Sequence, residues 1–132
     1  MTPLTIAIPT WNRNQQLALT LTALLPQLRS GVELIVLDNC SAMPVQDTLP
    51  DELQRLAKII RHPINIGACA NVMRCFEVAT GDWLWILGDD DLPSHDALTQ
   101  VLAAIRMYPA AYFINFETTI SRLGAGTRVG DV

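Results

Sequence analysis

The run Gly81-Asp82-Trp83-Leu84-Trp85-Ile86-Leu87-Gly88-Asp89-Asp90-Asp91 constrains this chain more than any other segment. Five large apolar residues lead through one glycine into three consecutive carboxylates. A continuous apolar run of this length predicts a strand buried on both faces. The carboxylates then emerge at its C-terminal end, where open α/β sheets hold their ligands. Three adjacent negative charges repel one another, and a bound divalent cation relieves that repulsion. Hard oxygen donors suit Mg²⁺ or Mn²⁺. The first expectation is a metal site that holds a phosphorylated ligand. Taken alone, the same acidic run would also suit the start of a helix, where carboxylates cap and complement the dipole.

The remaining chain alternates period-2 and helical patterning. Strands are expected over residues 4–9, 32–37, 58–61, 83–87 and 111–116. A helix is expected over 15–29, with Leu17, Leu21, Leu24, Leu25 and Leu28 on one face and Pro26 kinking it or ending it early. The loop before it, residues 10–14, offers capping side chains. Turn formers fill 40–50, and a short helix follows over 51–57. A helix over 68–79 is expected to bury Val72, Met73 and Phe76. Ser94 is expected to cap a last helix, with Leu98, Val101, Leu102 and Ile105 on its apolar face and Tyr108-Pro109 closing it. This order predicts an α/β fold, a Rossmann-like, mostly parallel sheet with helices on both faces.

Composition narrows the function. Half of the 132 residues are hydrophobic and 17% are charged, which excludes a disordered chain. A net charge of −4 argues against a general nucleic-acid-binding surface. Cys40, Cys69 and Cys75 lack Cys-x-x-Cys spacing, so reduced thiols in a cytoplasmic protein are expected. No window approaches the roughly 18–20 apolar residues needed to span a bilayer, which leaves peripheral association at the inner membrane face as the only membrane contact expected.

Each loop that follows a predicted strand falls at one edge of the sheet, and those loops carry the candidate residues. Trp11 offers an indole that stacks on a base or ribose, or packs as a half-buried ring. Thr10 and Asn12 donate to phosphates or sugar hydroxyls, and Arg13 pairs with phosphate. Asp38 offers an acceptor-only carboxylate to a nucleobase N–H, or forms an Asx-turn. Asn65 and Gly67 allow close backbone approach. Asn71 and Arg74 share a helical face that either reaches the crevice or faces water. His62 and His95 lack companion ligands. Neither a Gly-x-x-x-x-Gly-Lys loop nor a Gly-x-Gly-x-x-Gly after the first strand is present.

At this point the motifs resemble family 2 glycosyltransferases. Ile8-Pro9-Thr10-Trp11-Asn12-Arg13 is similar to the family's opening motif, and Val36-Leu37-Asp38-Asn39-Cys40-Ser41 to its second-strand motif. Asn65-Ile66-Gly67 through Asn71, then Ala79-Thr80-Gly81-Asp82 and the acidic triplet, complete the series over residues 4–116. The resemblance implies a GT-A fold that binds a nucleotide-diphosphate sugar. By that analogy Pro9, Thr10, Trp11 and Asn12 line the nucleoside pocket and Asp38 contacts the base. The triplet stands for the Asp-x-Asp motif, with Asp89 and Asp91 as metal ligands, Asp90 as the rival ligand, and Mg²⁺ or Mn²⁺ held against the diphosphate. Where many relatives carry Leu-Asp-x-Asp-Asp, this chain reads Leu87-Gly88-Asp89-Asp90-Asp91.

The resemblance further implies an inverting transfer to a glycan, lipid-linked or other acceptor. Family members continue well past this point, and their general base lies far downstream of the metal motif. Residues 1–117 are therefore expected to form the donor-binding part of a truncated enzyme. Residues 118–132 are expected as an irregular tail or the start of a missing acceptor half. No residue is assigned as base, weak donor binding with little transfer is expected, and the exposed truncated side would favour homo-oligomers. The rivals are a sugar nucleotidyltransferase, which would want a Gly-rich basic loop after the first strand, and a non-catalytic interaction module. A phosphoacceptor domain is rejected, since Lys58 is the only lysine.

Overall fold

The computed structural model describes residues 4–116, with backbone at 121–122 and 125–126. Four strands and four α-helices lie wholly within the first compact unit, residues 1–99: β1 (Leu4–Thr10), α1 (Asn14–Leu24), β2 (Val32–Asp38), α2 (Val45–Thr48), α3 (Asp51–Leu56), β3 (Lys58–Arg61), α4 (Ala68–Val78) and β4 (Trp83–Ile86). The second unit, residues 100–132, holds most of α5 (Ala97–Met107) and a minimal antiparallel pair, β5 (Ser121–Arg122) with β6 (Ala125–Gly126). That pair lies in the segment expected as an irregular tail or the start of a missing acceptor half.

The main sheet runs β3-β2-β1-β4, all parallel, as expected for strands joined through helices. The chain places β2 and β3 on one side of β1 and then returns to lay β4 on the other. This reversal makes the C-terminal ends of β1 and β4 the switch point of the sheet. Pleating sends alternate residues to opposite faces. On one face Ala7, Ile35 and Leu37 pack with Cys75 of α4, backed by Ile60, Val78, Leu84 and Ile86. On the other face Ile6, Ile8, Leu34 and Val36 are also buried, as are Leu17, Leu21 and Leu24 of α1. Both faces are thus covered, and the expected α/β architecture is present.

The helix expected over 15–29 ends early, one of the two outcomes expected of Pro26: α1 stops at Leu24 and tightens into a 3₁₀ turn at Leu25–Gln27. Other local expectations are corrected. The first turn of α1 has no side-chain cap. Asn14 instead donates to the Met43 carbonyl at 2.9 Å and Thr48 Oγ1 at 2.8 Å. Residues 45–48, expected as turn, form α2. α5 begins at Ala97, three residues past the expected cap Ser94, whose hydroxyl donates to Asp96 Oδ1 at 2.9 Å. The amide of Leu98, orphaned at the helix start, donates to Gln27 Oε1 at 3.0 Å.

In α4 the buried residues are Asn71 and Cys75, while Met73 and Phe76 are exposed. Apolar spacing ranks side chains by transfer energy alone; it cannot see that a buried amide here has partners waiting. β4 is half-buried along its length rather than buried on both faces, because it lies at the edge of the described sheet. Residues 111–116 form no strand, and Tyr112 and Phe113 are exposed. A strand exists by pairing, which composition cannot supply. No described helix is long and apolar enough to cross a membrane.

Entry into β4 depends on Gly81. A Cβ there would lie 2.6 Å from the Thr5 amide nitrogen and 2.8 Å from the Leu4 carbonyl carbon. Gly81 N also donates to Thr5 Oγ1 at 2.9 Å. Backbone cannot yield as a side chain does, so Gly81→Ala should lower stability by about 2 kcal/mol. Urea denaturation checks this; an unchanged midpoint would contradict the close approach.

Candidate functional site

The site lies past the paired ends of β1 and β4. Ala7 pairs with Ile86, and Leu87 N continues the ladder to the Ala7 carbonyl at 3.0 Å. Three residues beyond the Ala7–Ile86 pair, Thr10 and Asp89 meet: Thr10 Oγ1 donates to Asp89 Oδ2 at 2.8 Å. Both residues are buried. Arg13 follows in the same loop, donating from Nη1 to Asp90 Oδ2 at 2.6 Å and lying 3.6 Å from Asp89 Oδ1. The opening loop and the acidic triplet, nearly eighty residues apart in sequence, form one constellation.

Burial raises the Asp89 carboxyl above its ordinary value, and the neighbouring Asp90 charge adds to the rise. The Thr10 hydroxyl and the Arg13 guanidinium oppose it. Asp91 turns back on its own loop, where Oδ2 accepts from Gly88 N at 3.2 Å. A Cβ at position 88 would stand 2.6 Å from that oxygen, so glycine there leaves room for the folded-back carboxylate. The triplet is therefore not a ready-made cage. Among the described residues, no three His, Cys, Asp or Glu side chains converge where an ion could be held. The donor chemistry still fits a hard divalent cation: Asp89 and Asp90 present carboxylate oxygens at the switch point, and among the described residues Arg13 supplies the positive charge paired with them.

A residue not anticipated from sequence holds the triplet's backbone. Thr20 Oγ1 lies 3.0 Å from the Asp89 carbonyl and 2.7 Å from the Asp91 carbonyl. A signal existed, because Thr20 sits on the apolar stripe with Leu17, Leu21 and Leu24, and a polar residue there needs a buried partner.

Two candidates are buried and engaged by protein partners. Asp38 has no exposed surface. Its Oδ1 accepts from Ser41 N at 2.9 Å, and its Oδ2 accepts from Val45 N at 3.2 Å and Arg61 Nη1 at 2.6 Å. Burial alone would raise this carboxyl, but the hydrogen bonds from Ser41, Val45 and Arg61 outweigh it and hold it below the ordinary carboxylate value. The Asx-turn describes Asp38 as it stands, with three of the carboxylate's acceptor sites taken within the protein. Asn71 is likewise buried: Nδ2 donates to the Leu37 carbonyl at 3.1 Å, and Oδ1 lies 2.8 Å from His62 Nε2. It ties α4 to the ends of β2 and β3.

The other candidates line the loops. Trp11 is 51% exposed, Asn12 and Arg13 are exposed, and Pro9 is half-buried. Asn65 Oδ1 accepts from Asn39 Nδ2 at 2.9 Å and from Gly67 N at 2.8 Å. Gly67 takes φ 88 before α4, a conformation that explains the glycine.

Comparison with known proteins gives the family and the fold. The family model described as glycosyl transferase family 2 matches residues 5–121. An uncharacterized glycosyltransferase from Haemophilus influenzae is 31% identical over 111 residues, which are 84% of this chain and 37% of that protein. Among solved structures, Staphylococcus aureus TarS 1-349 in complex with UDP-GlcNAc aligns with a TM-score of 0.69 at 19% identity, over 81% of this chain and 32% of that one. The mannosyltransferase PcManGT of Pyrobaculum calidifontis, in complex with GDP-Man and Mn²⁺, aligns at 0.67 and 19% identity, over 77% of this chain and 32% of that one. The fold is the GT-A fold of these transferases, and the chain spans little more than a third of the length of the curated relative it matches. By the span of the family match and the identity to that relative, this chain belongs to glycosyltransferase family 2.

Proposed function

We propose that this chain binds a nucleotide-diphosphate sugar at the switch point between β1 and β4, and forms the donor side of a glycosyltransferase. The observation that carries the reading is the meeting of Thr10 and Arg13 with Asp89 and Asp90 across two neighbouring strand ends. An α/β sheet binds its ligand there. The solved relatives' complexes with UDP-GlcNAc and with GDP-Man and Mn²⁺ support the ligand class.

In this reading Trp11 stacks on the base, while Pro9, Thr10 and Asn12 line the nucleoside pocket. Arg13 exchanges Asp90 for a donor phosphate, a stronger bidentate partner. Asn65 and Gly67 bring backbone close to the ligand. Asp89 would hold Mg²⁺ or Mn²⁺ together with Asp91, once the Asp91 carboxylate leaves the Gly88 N–H it now accepts from, or with Asp90 as the rival ligand. Such an ion supplies positive charge that stabilises the departing nucleoside diphosphate. Asp38 and Asn71 act as scaffold. The reaction we propose is a single displacement by an acceptor hydroxyl with inversion, its proton passing to a carboxylate. The site works at an inner membrane face or in the cytoplasm.

Calorimetric titration of UDP and GDP, with and without Mn²⁺, tests this reading. One nucleotide should bind about tenfold or more tightly with the ion, in line with a cation bridging two anionic groups. Equal affinity without metal would sink the metal assignment, and no binding of either nucleotide would sink the donor site.

A further inference from the structure

The turn at residues 38–42 is clamped by a side chain from a neighbouring strand. Arg61 ends β3 and spreads its guanidinium over the turn: Nη1 donates to Asp38 Oδ2 at 2.6 Å, and Nη2 donates to the Ser41 carbonyl at 3.0 Å. Asp38 Oδ1 in turn accepts from Ser41 N. So held, the turn presents Ser41 Oγ and the Ala42 N–H to the opening loop. Asn12 engages both: its N–H donates to Ser41 Oγ at 2.9 Å, and its Oδ1 accepts from Ala42 N at 2.8 Å. Asn12 sits at φ 53, a left-handed conformation that persists only where its surroundings hold it. The half-exposed indole of Trp11 is the next residue. A continuous path of hydrogen bonds therefore runs from Arg61 to the backbone that aims Trp11.

We propose that Arg61 is a positioning residue for the nucleoside part of the donor: without touching ligand, it fixes Asn12 through Asp38 and Ser41 and so orients Trp11. The inference rests on the donor-binding reading above. A guanidinium suits the task because its planar fork spans two acceptors, and a lysine ammonium is a single point charge without that fork. The pyrophosphate end, around Arg13 and Asp89, is anchored separately through Thr10 and Thr20. Loss of Arg61 should thus weaken recognition of the nucleoside and spare that of the pyrophosphate.

The test titrates the full chain with UDP, GDP and inorganic pyrophosphate, all with Mn²⁺, using wild type, Arg61→Met, Arg61→Lys, Ser41→Ala and the Arg61→Met/Ser41→Ala double variant. For whichever nucleotide binds wild type more tightly, Arg61→Met and Ser41→Ala should each lose about tenfold, the scale of one charge-assisted hydrogen bond. The double variant should lose no more than the worse single, because both act through one path. Arg61→Lys should recover part of the loss, and pyrophosphate affinity should stay within about twofold throughout. Should Arg61→Met fail to fold, Arg61→Lys and Ser41→Ala, singly and combined, carry the same criteria. Equal losses for nucleotide and pyrophosphate, additive losses, or unaffected variants would overturn the inference alone. So would a wild type that binds nucleotide and no pyrophosphate. A wild type that binds none of the three overturns the donor-binding reading, and this inference falls with it.

Discussion

Asp89→Asn should abolish the metal-dependent part of nucleoside diphosphate binding while leaving the fold in place. Asparagine keeps the shape and one oxygen for the Thr10 hydroxyl, which now lies 2.8 Å from Asp89 Oδ2. It removes the buried negative charge at the switch point. One charge next to a divalent ion in a site of intermediate dielectric is worth about 3 kcal/mol, or on the order of a hundredfold in affinity. Asp91→Asn should cost comparably if Asp91 is the second ligand. Asp90→Asn should cost less, since its carboxylate is half exposed and paired with Arg13. Calorimetry with UDP or GDP and Mn²⁺ ranks the three. A large loss at Asp90 and none at Asp91 would exchange their roles; no loss at Asp89 would remove the metal from this site.

Asp38→Ala should produce the largest loss of stability among the polar substitutions, about 3–4 kcal/mol at neutral pH. The variant leaves two buried N–H groups, those of Ser41 and Val45, without an acceptor and removes one of the partners of the partly exposed Arg61 guanidinium, which keeps the Ser41 carbonyl. A buried N–H left without an acceptor costs about 1–3 kcal/mol. The pH dependence has a definite sign. The folded-state carboxyl of Asp38 titrates below its ordinary value, so its contribution is present above the unfolded-state value of about 3.9 and is lost as pH falls through the folded-state value. Wild type and variant should therefore differ most near pH 7 and converge in acid. Urea denaturation at pH 7 and pH 3 measures both. A gap that stays constant across that range would show that the pairing is not what stabilises the turn.

Much of this fold was legible in the chain. Alternation of short β-branched runs with helical stripes specified strands near residues 4, 32, 58 and 83, and the parallel order follows because a helix lies on each crossover between them. Pro26 ends its helix because its ring and absent N–H act locally, whatever the tertiary context. Features that depend on a distant partner were misread. Asn71 and Cys75 replaced Val72, Met73 and Phe76 on the buried face of α4, since Leu37 and His62 satisfy the Asn71 amide. The expected strand at 111–116 is an irregular segment among the described residues, and the helical turn at 45–48 went unread because its Asp38 contact arrives from β2.

The same division holds at the site. By itself the sequence determined that an acidic triplet follows an apolar strand, that polar loops follow the other strands, and that the motifs belong to one family. These are matters of periodicity and residue chemistry, which act over a few neighbouring positions. Only the tertiary structure decided that β4 lies beside β1, bringing Asp89 to Thr10 and Asp90 to Arg13 across nearly eighty residues. It also decided that Asp38 is buried and pairs with Arg61 from the neighbouring strand. A carboxylate's role depends on which donors lie within about 3 Å of it, and that proximity is created by strand pairing, which no local run of residues encodes.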